Sequence, residues 1–111
     1  GTLDTAQAIG AQSASGEENP PSLVAQLDPD NSIEFELKDV KSKKRQFRIG
    51  ARKGKTRWNG VHKFLSSIRA KYPNLKTSIV LTRPRVTYGQ TMKLVDALKK
   101  VEITDVGISP M

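Results

Sequence analysis

The sequence predicts an α+β domain, a mixed β-sheet with two α-helices on one face, in the order ββαβαβ. Three observations carry this. Apolar residues alternate with polar ones at Ile33, Phe35 and Leu37 and again at Phe47 and Ile49. Two later stretches repeat apolar residues at helical spacing, and a short apolar run at 79–81 separates them. Two helices that each follow a strand can cover one face of a sheet.

The first strand is marked by Glu34, Glu36 and Lys38 on its polar side, the second by Gln46, Arg48 and Arg52 facing away from Phe47, Ile49 and Ala51. KSKKR between them predicts a hairpin with a basic turn. Asn59 is the expected cap of the first helix, where Val61, Phe64, Leu65, Ile68 and Tyr72 form one stripe that Pro73 and Asn74 end. The run 79–81 reads as a buried strand stopped by Arg83-Pro84. The second helix is expected from Tyr88 or Gly89 to Lys100, with Leu94, Val95, Leu98 and Val101 on one face, and a last strand follows at 104–108.

A chain of 111 residues suits one domain and a tail. Residues 1–31 contain five acids and no Lys or Arg, begin rich in Ala, Gln, Ser and Gly, and include Pro20-Pro21, which predicts an acidic flexible linker. Residues 32–111 then hold all 19 basic side chains against six acids, a net +13, with nine Lys or Arg and no acid between 41 and 57. There is no cysteine, so disulfides and thiol chemistry are excluded, and the single His62 falls in a helical pattern as a surface residue. No apolar run approaches the ~20 residues that span a bilayer.

GARKGKT at 50–56 comes close to a phosphate-binding loop. That loop needs four residues between its glycines, so that successive backbone N–H groups curl around a phosphate, and it must open directly into a helix. Gly50 and Gly54 have three between them, and Trp58, Asn59 and Gly60 precede the apolar stripe, so a bend and a turn are expected instead. The second-helix carboxylate Asp96 has Lys93, Lys99 and Lys100 within three or four residues, a pattern of surface ion pairing rather than of a general base. The chain therefore reads as a non-enzyme with no cofactor and no metal. A basic surface does fit nucleic acid, the alternative reading, although only Trp58, Tyr72 and Tyr88 are left to stack bases.

The stretch VTYGQTMKLVDALKKVEITDVGISP resembles the periplasmic domain of the ExbD/TolR family of proton-driven energy-transducing proteins. Val86, Tyr88 and Gly89 match its Val-x-Tyr-Gly-like loop, Val95, Asp96 and Leu98 its helix, and Ile103, Val106, Gly107 and Ile108 its last strand. Their expected roles are structural: Tyr88-Gly89 a tight start to the helix, and Gly107 a close backbone approach. The resemblance covers residues 32–111 and is specific from 79 onward.

The resemblance implies a homodimer, an ExbB/TolQ-like membrane partner met through a single inner-membrane span preceding Gly1, and residues 1–31 as the tether. The process driven could be transport, envelope integrity or motility. The basic segment is longer than the family's usual hairpin, so Lys43, Lys44, Arg45, Arg48, Arg52, Lys53, Lys55 and Arg57 are the expected contact surface for an anionic partner such as peptidoglycan or an acidic envelope protein.

Overall fold

The computed structural model describes residues 19–111. Seven elements follow in the order βββαβαβ: β1 Ser22–Leu27, β2 Ile33–Lys38, β3 Gln46–Ile49, α1 Trp58–Lys71, β4 Thr77–Thr82, α2 Tyr88–Lys100 and β5 Asp105–Pro110. The sheet order is β3-β2-β1-β4-β5. Strand β1 pairs antiparallel with β2 and parallel with β4, and β4 pairs parallel with β5, so the α+β class and the mixed sheet hold.

The expected order was one strand short. Ser22–Leu27, placed in the linker by its acidic, proline-containing surroundings, is the central strand of the sheet. Leu23, Ala25 and Leu27 alternate inward and are fully buried, a period-two signal that composition averaged over 31 residues conceals. Of the rest of the expected tether, residues 28–31 form the β1–β2 turn, with Asp28 buried, and 1–18 lie outside the described residues.

One face of the sheet carries the core. Leu23, Ala25, Leu27, Ile33, Phe35, Leu37 and Val80 join Val61, Leu65 and Ile68 of α1 and Leu94, Val95 and Leu98 of α2 in a single buried cluster, which places both helices on that face. The opposite face is open: Val24 and Leu81 are half-buried, and Ile79, expected to be buried, is 46% exposed.

Helix α1 begins at Trp58 rather than after Asn59. Its N-cap is Arg57, with no side-chain cap, and the first turn closes through Val61 N–H to the Arg57 carbonyl at 2.9 Å. Tyr72 ends it, as Pro73 requires. Helix α2 is capped by a Thr87/Gln90 capping box: Gln90 N–H donates to Thr87 Oγ1 and Thr87 N–H donates to Gln90 Oε1. It stops in a Schellman motif, with Ile103 N–H bonded to the Leu98 carbonyl, Glu102 N–H to the Lys99 carbonyl, and Glu102 at φ 66°.

Candidate interaction surface

Strand β3 divides the basic segment into two groups. Its four residues pair with β2 from Gln46↔Glu36 to Ile49↔Ile33, so Lys43, Lys44 and Arg45 precede one end of the strand and Arg52, Lys53, Lys55 and Arg57 follow the other. At about 3.4 Å per residue, the strand alone holds the groups roughly 10 Å apart. Arg48, between them, belongs to the open face and is not part of either group. It lies opposite Glu34 and places Nη2 3.7 Å from Asp30 Oδ2.

The second group is a hairpin of its own. Arg52 and Lys55 exchange both backbone hydrogen bonds, at 2.8 and 3.0 Å, around Lys53 (φ 52°) and Gly54 (φ 74°). Two consecutive left-handed residues make a type I′ turn, which explains the Lys-Gly pair without any phosphate. Thr56 Oγ1 donates to the Asn31 carbonyl at 2.9 Å and Arg57 Nε to the Gly50 carbonyl at 2.9 Å. Asn31 holds the assembly together, donating from Nδ2 to the Gly54 carbonyl and accepting from Gln90 Nε2 on Oδ1. The hairpin is thus fixed to the capping box of α2, across a cleft lined by Lys55, Trp58, Thr87, Gly89 and Lys93.

Beside this end, Asp28 accepts from Gln26 Nε2 at 2.9 Å and from Arg83 Nε at 3.0 Å. Burial pushes its carboxyl up, but these hydrogen bonds, one from Glu34 and the Arg83 charge together hold it below its ordinary value. Glu34 is pushed up, chiefly by its hydrogen bond to Asp28 and then by burial and the Asp28 charge. Hydrogen bonds from the Ser32 side chain and backbone hold Asp30 low.

The first group borders an aromatic groove that the sequence reading missed. Leu37, Phe47, Phe64, Ile68 and Tyr72 line it, with Lys44 and Lys71 at its mouth. The Phe64 ring lies 4.6 Å from Phe35 and 4.9 Å from Phe47. These aromatics do fall on the apolar side of their elements, but Phe47 and Phe64 are only half-buried, so the groove stays open. The sequence offers Tyr72 as a ring able to stack on a base and gives no sign that Lys71 stands beside it.

Of the residues that carry the resemblance, Val95 and Leu98 are core, and Val86 and Val106 pack against it half-buried. Asp96 is exposed and Tyr88 is 78% exposed. The roles expected of the glycines are corrected. A Cβ at Gly107 would meet nothing within 4 Å, so no close approach is made there, and one at Gly89 would meet only Thr87 Oγ1 at 4.0 Å, so the start of α2 at Tyr88 does not need a glycine. Helix α2 owes its start to Thr87 and Gln90 instead.

Among the described residues no group of three or more His, Asp or Glu side chains is placed to hold a metal ion, and no helix is long and apolar enough to cross a membrane. No protein-family model matches the chain, and no curated protein matches it.

Proposed function

We propose that this chain is the periplasmic domain of an ExbD/TolR-type subunit, a non-enzymatic part of an inner-membrane complex driven by the proton motive force, working as a homodimer beside an ExbB/TolQ-like partner. The observation that carries the reading is where the upstream chain joins the fold. It enters the sheet directly as β1, whose two neighbours hold it over its whole length, Ser22 to Leu27, in register with β2 and with β4. A pull on the upstream segment along β1 loads two hydrogen-bonded ladders in shear. That suits a domain tethered to a moving membrane part, and the sequence resemblance supports it through Val86, Val95, Leu98 and Val106, which lie along β4-α2-β5. The basic groups then face an anionic envelope partner such as peptidoglycan or an acidic protein.

The test is to fractionate the source cells, isolate the full-length protein and sequence what precedes Thr2. An inner-membrane protein with ~20 apolar residues containing an acid upstream is expected. A protein recovered away from the membrane, with no such segment, overturns the reading.

A second reading, a nucleic-acid-binding module, is favoured by Trp58, half-buried in the cleft beside Lys55 and Lys93, and by the exposed Tyr88 in the first turn of α2. An affinity for single-stranded oligonucleotide that falls steeply with salt and depends on Trp58 and Tyr88 would support it.

A further inference from the structure

We infer that the groove between the β2–β3 turn and the C-terminal half of α1 is a docking site for an acidic peptide segment of a partner protein, anchored by one apolar side chain. This deepens the proposed function by naming a partner class and a site for it.

The groove has a volume of about 250 Å³. That is below the roughly 300–1,000 Å³ of pockets that enclose small molecules, and suits a single side chain. Buried Leu37 and Ile68 form its floor, and half-buried Phe47, Phe64 and Tyr72 its walls. Aromatic walls of this kind make strong anchor sites.

Charge at the mouth selects what flanks the anchor. Lys44 Nζ stands 5.3 Å from the Phe47 ring centre and Lys71 Nζ 5.6 Å from that of Tyr72. Both lysines are exposed, and among the described residues no carboxylate forms a salt bridge with either. Lys43 and Arg45 continue the positive charge along the turn, where Asp39 is the one acid, and the nearby Glu36 is engaged by Lys38 at 3.5 Å. An apolar notch with cations on both sides complements a peptide of acidic residues around one large apolar residue. Nucleic acid fits it less well, because bases stack on open ring faces and here ammonium groups stand over two of the rings.

The experiment measures fluorescence anisotropy of the labelled heptapeptide Glu-Asp-Glu-Phe-Glu-Asp-Glu with the 111-residue chain. Controls are the same peptide with Ser in place of Phe and a thymidine heptanucleotide as competitor. The Phe peptide is expected to bind at least about tenfold more tightly than the Ser peptide, and the surface double variant K44E/K71E to lose roughly tenfold with its melting temperature unchanged. Amide shifts on adding peptide are expected at Ser42, Ser67 and Lys71. Equal binding of both peptides, full binding by K44E/K71E, or displacement by the oligonucleotide at lower concentration than by unlabelled peptide each overturns the inference. None of these results bears on membrane origin, so the proposed function is tested separately by the fractionation.

Discussion

Asn31 donates from Nδ2 to the carbonyl oxygen of Gly54 at 2.8 Å, across 23 residues of sequence. Its Oδ1 accepts from Gln90, so one side chain ties the β1–β2 turn, the basic hairpin and the cap of α2. Its backbone is left-handed, φ 70°, a conformation that Asn tolerates better than most residues.

Asn31→Ala should therefore lose about 1–3 kcal/mol in urea denaturation, from two broken hydrogen bonds and a φ that Ala adopts poorly. Asn31→Gly keeps the backbone relaxed and should lose less. In both variants trypsin should cut at Lys53 and Lys55 faster than in the parent, because the hairpin is released. Unchanged cleavage would show that Thr56 and Arg57 alone hold it.

The carboxylates at this end give stability two opposite pH dependences. Asp28 is held below its ordinary value, so its contribution is complete above the ordinary carboxylate range and is lost as pH falls through the lowered value. Glu34 is pushed up, so its contribution is complete below the ordinary range and is lost as pH rises through the raised value. Asp28→Asn should thus destabilise at neutral pH, with the difference from wild type shrinking as pH falls below the ordinary aspartate range. Glu34→Gln, which keeps a donor beside Asp28 without the charge, should stabilise at neutral pH. Denaturation midpoints across pH check both signs, and a Glu34→Gln variant less stable than wild type at neutral pH contradicts the shared hydrogen bond.

Leu98 and Gly107 are both expected from the sequence to have structural roles, but the structure gives them unequal weight. Leu98 is fully buried between α2 and the sheet, and Leu98→Ala should cost about 2–5 kcal/mol through lost burial and a cavity. Gly107→Ala meets nothing and needs no left-handed backbone, so its effect should stay within about 0.5 kcal/mol. Thermal melts of the two variants side by side separate them, and a large loss in Gly107→Ala would point to a surface that covers β5.

What could be read from the sequence was whatever has a clean period. Val61, Leu65 and Ile68, like Leu94, Val95 and Leu98, recur at helical spacing, and both helices ended where Pro73 and Lys100 suggested. In β1 the alternation is blurred, because Val24 is apolar on the open side and no charge marks the polar positions. Asn59 looks like a cap by residue type, yet Arg57 holds that position, since the chain leaves the Arg52–Lys55 hairpin only two residues earlier. The basic segment reads as one patch in the sequence because closeness along the chain does not reveal separation in space. A strand as short as Gln46–Ile49 is enough to separate its two parts.

The end of α2 yields a prediction that runs toward greater stability. Glu102 occupies the C′ position at φ 66°, where glycine is the usual residue because any Cβ is strained there. Its side chain offers little in return: the carboxylate is 82% exposed and 3.9 Å from Arg69 Nη2, an ion pair of small worth in water. The bonds that define the stop, from Ile103 and Glu102 N–H to the Leu98 and Lys99 carbonyls, are backbone bonds and survive substitution. Ile103 and Leu98, both fully buried, supply the hydrophobic contact that accompanies this motif. Glu102→Gly should then raise stability by about 0.5–1 kcal/mol, the relieved strain exceeding the extra freedom glycine gives the unfolded chain. Glu102→Gln, which keeps the strain and removes only the charge, should differ little from wild type. If Glu102→Gly is no more stable than Glu102→Gln, which loses the same Arg69 pair, the strain argument fails.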